Sequence, residues 1–290
     1  PRLRRPLFVS AFTGWNDAAE AATSAARFLV ENLGGKRFAW IPPETYFQFS
    51  DLRPIVYSNE ERKRRIRWPT TDFFYCHDPS LSRDLVVGIG AEPHFSWQQF
   101  SREVLEVVRR CGAADTISLG ALIAGYSHTE PVHVVGLATS RDLSEKIGVE
   151  LTRYEGPTGI VGVIYALLQD EGIPAVSLWA NVPPHVASLS NPKAIHALLA
   201  RLCAFGGLRL DLSPLEELFQ RFDRQVEAII AKNPEISSFV SQLQGHRQEE
   251  ENSEERDREK EAPISGEDIA AEIERYLRKR GSRGKGEEGK

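Results

Sequence analysis

The feature that most constrains the fold is an alternation of short apolar runs with longer segments of helical periodicity. The apolar runs start near Leu7, Arg37, Leu85, Thr116 and Ala175. Short, continuous apolar runs bounded by turn residues are typical of strands buried on both faces. Helices that alternate with such strands cover the two faces of one sheet. The pattern therefore predicts an α/β fold with a largely parallel or mixed sheet between two helical layers.

A change in composition near Leu212 marks the end of the strand-containing region. Helical spacing continues from Ser213 and again from Pro234, but strand patterns stop. The sequence thus predicts an α/β core over residues 1–207 and a helical extension over 208–245. An almost wholly charged linker over 246–264 and an amphipathic helix with a tail over 265–290 complete the predicted organisation. That last helix has a narrow apolar stripe, and we expect it to order only against a partner surface.

Charge and cysteine content exclude several classes of protein. The net charge of −5 lies entirely in residues 208–290, because acidic and basic side chains balance in residues 1–207. The one basic cluster, Arg62–Trp68, is more typical of a solvated strand or loop, so we expect no nucleic-acid partner. Three widely spaced cysteines suggest a reducing, cytoplasmic location. The longest apolar run, Ile160–Leu168, is too short to span a membrane.

The stretch from Tyr154 to Leu168 is rich in glycine and predicts a turn followed by a helix. We expect Gly156 to form the turn, Pro157 to take the first helical position, and Gly159 and Gly162 to leave a strip without side chains. Such a strip permits close packing against a sheet or a second subunit. The alternative is an anionic ligand at the helix N-terminus. Packing is favoured, because no complete dinucleotide or Walker pattern is present.

Several segments together resemble the PAC2 family, which is named for the proteasome assembly chaperones. The matching segments are Gly14–Ala19, Gly90–Pro93, Gly120–Thr129, Tyr154–Gly159 and Gly172–Pro183. Each motif alone is weak, but five in the same order are more specific. The resemblance implies a three-layer sandwich similar to that of purine nucleoside phosphorylases. It also implies a homo-oligomer, with a trimer as the leading expectation, and a protein client that the sequence does not identify.

Polar residues just past the predicted strands form the candidate pocket, since ligands of open α/β sheets bind at the carboxyl ends of strands. Asp17 or Glu92 could act as a base there and His128 as an acid, but capping and loop contacts explain the same residues. We expect no metal site and no cofactor. The nine candidate residues are Trp15, Asn16, Asp17, Glu92, His128, Glu155, Gly156, Thr158 and Gly159.

Two functions remain open from the sequence. The first is a non-enzymatic assembly or scaffold protein, since no nucleophile elbow, catalytic triad or Walker lysine is present in the sequence. The second is a protein that binds a nucleoside or another small molecule, or a hydrolase-like or phosphorylase-like enzyme, at the crevice formed by the strand ends. A screen for ligand-induced stabilisation discriminates between the two.

Overall fold

A computed structural model describes residues 3–242 of the chain. These residues lie almost entirely in one compact unit, Pro1–Val240. The predicted charged linker at 246–264 and the predicted terminal helix at 265–290 fall outside the described residues.

One mixed sheet of eight strands forms the middle layer of the fold. Its strand order is β2-β5-β6-β1-β7-β10-β8-β9. The four central strands β6, β1, β7 and β10 are parallel, and antiparallel strands lie on both sides of them. The strands are β1 (Leu7–Thr13), β2 (Lys36–Ile41), β3 (Ile55–Ser58), β4 (Arg64–Arg67), β5 (Thr71–Cys76), β6 (Leu85–Ala91), β7 (Asp115–Ile123), β8 (Val134–Ala138), β9 (Glu150–Leu151) and β10 (Ala175–Val182). Strands β3 and β4 form a separate hairpin.

Helices cover both faces of this sheet. Residues 234–242 are also helical, and single 3-10 turns occur at Ala18–Glu20 and Pro184–Val186. The α-helices are α1 (Ala21–Asn32), α2 (Trp97–Cys111), α3 (Arg141–Ile147), α4 (Ile160–Asp170), α5 (Pro192–Gly206), α6 (Ser213–Glu216) and α7 (Phe219–Lys232).

The alternation of side chains along β1 separates the core into two layers. Leu7, Val9 and Ala11 join the apolar layer that contains α1 and α5. Phe8 and Phe12 point the other way and join the layer that contains α2 and α4. Because every residue from Leu7 to Phe12 is buried, the strand needs apolar side chains on both faces. The predicted mixed-sheet, three-layer sandwich is confirmed.

The glycine-rich helix α4 starts later than the sequence predicts. It begins at Ile160, so Pro157 lies before the helix and Gly159 is its N-cap residue. Gly156 does not take the left-handed conformation, which six other glycines adopt. The prediction of a helix starting at Pro157 is therefore wrong. The cause is an acceptor from another segment. The Glu92 carboxylate accepts a hydrogen bond from the Ile160 N–H, which fixes the first turn of the helix at that residue.

Three elements were not predicted from the sequence. Strand β5 lies within a proline-rich region, and after Thr71 and Asp72 its side chains are apolar or aromatic on both faces. Helix α3 has only seven residues, although Ser140 caps its start and Gly148 ends it in the left-handed conformation. Strand β9 has two residues and pairs only with β8. Short elements of this kind depend on the neighbouring sheet more than on their own sequence.

The helices after α5 contribute to the same apolar layer as α1. Leu215, Phe222 and Val226 are buried and belong to that layer. That residues 1–207 and the helical extension fold as separate units therefore stays a prediction. Within residues 3–242, no helix has both the length and the apolar character needed to cross a bilayer.

We predict that Leu215→Ala destabilises the whole α/β unit by about 2–5 kcal/mol, because a buried leucine is removed from a shared core. Leu215 is 7% exposed, whereas Leu218, one turn later, is 42% exposed. Leu218→Ala is thus a matched control and should change stability by less than about 1 kcal/mol. Urea unfolding of the full chain measures both. Equal, small effects would show that α6 and α7 unfold separately from the sheet.

Candidate functional site

An apolar cleft lies beside the carboxyl ends of β1 and β7. It has a volume of about 760 Å³. Residues of β7, β8 and β10 form its floor, and α4 and the loops at residues 14–18 and 152–158 form its walls. The lining residues are Gly14, Trp15, Ala18, Leu122, Ile123, Val135, Leu137, Thr152, Tyr154, Gly156, Pro157, Thr158, Gly162, Tyr165, Ser177 and Trp179.

Trp179 forms the centre of the cleft floor. Its indole N–H donates to the Ser177 hydroxyl at 2.8 Å. The ring lies across Gly120 of the neighbouring strand, where a Cβ atom would be 2.5 Å from the nearest ring carbon. Gly120 is thus required by close approach, since any side chain there would displace the indole. Both residues lie in segments that carry the family resemblance, but the sequence does not predict their contact.

The rim of the cleft exposes large apolar side chains to solvent. Trp15 is 64% exposed, and Ile123 and Tyr154 are exposed to a similar extent. Among the described residues, no acidic, basic or histidine side chain lines the cleft. Burial raises the pKa of the Tyr165 phenol, so this group stays neutral near physiological pH. The cleft is suited to apolar contact and lacks a group poised for acid–base chemistry.

A polar cluster beside the cleft joins three loops, which are those after β1 and β6 and the one before α4. Oε1 of Glu92 accepts from Nδ2 of Asn16 at 2.7 Å and from the Ile160 N–H at 2.8 Å. The Asn16 carbonyl accepts from the Ala121 N–H at 2.8 Å. The loops after β1 and β6 are therefore tied to β7 and to the start of α4. We call Asn16 and Glu92 the capping cluster.

Gly159 is required by the close approach of this cluster. A Cβ atom on Gly159 would lie 2.5 Å from Nδ2 of Asn16 and 2.6 Å from Oε1 of Glu92. The positive end of the α4 dipole thus faces the chain's own carboxylate. The sequence favours close packing at this helix start and leaves an external anion as the alternative. The described chain fills that position with Glu92, which gives this carboxylate a structural role.

The remaining candidate residues lie at different places in the structure. Asp17 is buried and holds the start of α1, because its carboxylate accepts from the Ala22 and Thr23 N–H groups and from the Thr23 hydroxyl. Burial raises the pKa of Asp17, and the hydrogen bonds from Thr23 and Ala22 oppose this rise. Glu155 is exposed on the loop before α4 and does not line the cleft. Trp15, Gly156 and Thr158 do line it.

His128 belongs to a second polar cluster, away from the cleft lining. Its Nδ1 atom lies 3.0 Å from Nε2 of His185, and Nζ of Lys193 lies 3.4 Å from its carbonyl oxygen. Lys193 also pairs with Asp223 at 2.5 Å. Burial lowers the pKa of His128, and burial together with His128 lowers the pKa of His185 to about 4. The pair is therefore neutral at physiological pH.

Sequence reasoning missed most of the cleft lining, including Leu122, Ile123, Val135 and Leu137. Apolar residues near strand ends were interpreted as core. The register explains the error, since β7 pairs with β10 as far as Ile123 and Val182. The last residues of β7 are also exposed, Leu122 to 36% and Ile123 to 58%, and form an apolar surface. Two tryptophans close to turns, at positions 15 and 179, were the available signal.

We predict that Gly159→Ala lowers the free energy of unfolding by about 1–3 kcal/mol, because the new methyl group overlaps the capping cluster. The same substitution in an Asn16→Ala background should cost less, since one of the two colliding groups is gone. Chemical unfolding of the two single variants and the double variant measures this coupling. Strictly additive effects would contradict the close contact between Asn16 and Gly159.

The histidine pair predicts a loss of stability in mild acid. Above the unfolded pKa of about 6.5 both imidazoles are neutral in both states, so stability is fully present. Below it, the imidazoles of the unfolded chain are protonated, whereas His185 in the folded chain stays neutral until the pH falls to about 4. The melting temperature should therefore fall more steeply below about pH 6.5 in the wild type than in a His128→Gln, His185→Gln double variant. Parallel curves would remove the pair as the cause.

Comparison with known proteins connects this fold to a family. The PAC2 family model matches residues 11–230. A PAC2 family protein from Streptomyces avermitilis is 38% identical, with a TM-score of 0.75, over 81% of this chain and 99% of that chain. A proteasome-assembly chaperone homologue from Mycobacterium tuberculosis is 35% identical, with a TM-score of 0.73 and the same two coverages.

A more distant structure shares the fold alone. PbaB from Pyrococcus furiosus, described as an archaeal proteasome activator, is 19% identical. Its TM-score is 0.62, over 79% of this chain and 95% of that chain. A comparison with curated proteins found no match. The family model covers well over half of the sequence, and the two actinobacterial structures match across nearly their whole length, so this chain belongs to the PAC2 family.

Proposed function

We propose that this chain is a non-enzymatic assembly or scaffold protein with a chaperone-like role toward other proteins. The observation that carries the proposal is the open apolar cleft with Trp15 exposed on its rim. A contiguous apolar surface on a globular unit is typical of a protein-binding site. Tryptophan and tyrosine at such a surface supply much of the binding energy of protein interfaces.

The polar residues of the site support a binding role over catalysis. Oε1 of Glu92 holds the start of α4, and the Asp17 carboxylate holds the start of α1. Both carboxylates are the candidates for a general base, and both already accept hydrogen bonds from backbone N–H groups. A base engaged in this way would lose its helix cap on accepting a proton, which opposes a catalytic cycle.

The related structures suggest the class of client. The Mycobacterium tuberculosis relative is described as a proteasome-assembly chaperone homologue. The client proposed for this chain is accordingly a subunit of a multi-subunit complex, with proteasome subunits as the first to test. We further propose that the chain acts in the cytoplasm as a homo-oligomer, with a trimer as the leading arrangement. The free state of Cys76, Cys111 and Cys203 supports a reducing compartment.

One observation favours a second candidate function. The cleft volume of about 760 Å³ falls within the range of sites that hold small molecules. Its lining suggests an apolar ligand rather than a nucleoside phosphate, because the α4 N-terminus is occupied by Glu92. A thermal-shift screen with nucleosides, phosphate and apolar ligands discriminates, since a ligand at 100 times its Kd stabilises by about 2.7 kcal/mol.

We predict that Trp15→Ser weakens client binding by at least about tenfold while leaving the melting temperature unchanged, because the side chain is 64% exposed. Trp40→Ser is the matched control: Trp40 is 56% exposed and lies on β2, away from the cleft. The measurement is binding of purified proteasome subunits from the same organism, with oligomer mass determined by light scattering. Equal losses in both variants, or none, would contradict a client site at the cleft.

A further inference from the structure

The hairpin of β3 and β4 is the most exposed apolar segment outside the cleft. We call residues 55–67 the basic hairpin. Ile55, Val56, Tyr57 and Ile66 are each between 41% and 58% exposed. All eight residues of its two strands are exposed. An isolated two-stranded hairpin is marginally stable in water at best. This one therefore presents apolar area that its own fold leaves uncovered.

The strand register distributes this surface over two faces. Ile55 pairs with Arg67 and Tyr57 with Arg65, so these four side chains share one face. Val56 pairs with Ile66 on the opposite face. Arginine and apolar side chains thus alternate on the first face, and the second carries an apolar pair. The Arg67 guanidinium lies 5.3 Å from the Tyr57 ring centre.

The turn of the basic hairpin is well formed. The Asn59 side chain accepts from the Lys63 N–H at 2.8 Å, and the Asn59 N–H donates to the Lys63 carbonyl at 3.0 Å. Within residues 3–242, β3 and β4 pair with no other strand. Both outer edges of the hairpin therefore present backbone N–H and C=O groups that a further strand can pair with.

We propose that the basic hairpin binds an acidic, extended segment of a partner protein, added as a third strand with apolar residues between its acids. The hairpin contains five basic and two acidic residues, which favours an anionic partner. Guanidinium groups pair with carboxylates through two parallel hydrogen bonds. The apolar pair Val56–Ile66 needs an apolar complement, which such a segment also supplies.

The charges and the apolar residues of the basic hairpin disfavour other classes of partner. A second basic hairpin would bring two clusters of like charge together, so pairing between identical hairpins is unfavourable. Nucleic acid is disfavoured because Glu60 and Glu61 lie in the turn beside the basic residues and would face phosphates. A lipid surface would contact one face only, whereas apolar residues occupy both faces. An acidic strand pairs with one free edge and places side chains beside both faces of the hairpin.

This inference goes beyond the proposed function, since it assigns a second surface and does not require the cleft to bind anything. The test uses the full chain and a fluorescent eight-residue peptide in which glutamate alternates with valine and tyrosine. A peptide with lysine in place of glutamate is the sequence control. Fluorescence anisotropy gives the affinity of each, at about 0.05 M and about 0.5 M salt.

We expect the acidic peptide to bind the wild type and to bind an Arg64→Ser, Arg65→Ser variant at least about tenfold more weakly. An Arg102→Ser, Arg221→Ser variant removes the same charge from exposed helix positions and should bind normally. Trp15→Ser should also bind normally, which separates this result from the cleft. Val56→Ser with Ile66→Ser should weaken binding and keep the melting temperature, because both side chains are exposed.

Any of the following results would overturn the proposal. The first is equal binding of the lysine and glutamate peptides, and the second is equal loss in the two arginine variants. The third is tighter binding of a single-stranded oligonucleotide or of vesicles containing phosphatidylserine than of the acidic peptide. A loss confined to Trp15→Ser would leave the cleft as the protein-binding site and remove this role from the hairpin.

Discussion

The hydrogen bonds that hold the Glu92 carboxylate at the start of α4 determine the geometry of the whole strand-end surface. Through its hydrogen bonds with Asn16 and Ile160, the Glu92 side chain connects the loops after β1 and β6 to the start of α4. A charged acceptor at a helix N-terminus satisfies a backbone donor and interacts favourably with the helix dipole. The loop before α4 is held to the sheet a second time, where the Thr152 N–H donates to the Gly136 carbonyl of β8 at 3.0 Å.

That arrangement also explains why the cleft is apolar. In many open α/β sheets the strand ends supply polar groups to a ligand. Here Glu92, Asn16 and Asp17 turn away from the cleft and serve helix starts and loop contacts. Aromatic and aliphatic residues of β7, β8 and β10 are left to form the accessible surface. The fold position that carries polar ligand-binding groups in other open α/β sheets thus carries an apolar surface in this one.

The sequence was sufficient for the elements that carry local signals. Asn191 followed by Pro192 is typical of a helix start, and the Asn191 side chain accepts from the Lys193 and Ala194 N–H groups of α5. Gly112 is typical of a helix end, and it adopts the left-handed conformation after α2. The cleft could not be predicted in the same way, because Leu122 and Ile123 look like core residues until the register of β7 against β10 is known. The contact between Gly120 and Trp179 likewise joins positions far apart in the sequence.

The three glycines near α4 show why one motif permits two interpretations. Spacing alone suggested a strip for close approach or a cradle for an external anion. In the structure each glycine has its own neighbour: Tyr154 lies against Gly156, the capping cluster against Gly159, and Thr158 against Gly162. Gly159 meets groups that hydrogen bonds hold in place, whereas Gly156 and Gly162 meet the ends of nearby side chains. An anion is also present at the helix start. It is the chain's own carboxylate, held from a different loop. A glycine-rich helix start thus indicates an anion nearby without indicating whether that anion is a ligand, and only the tertiary partner decides between them.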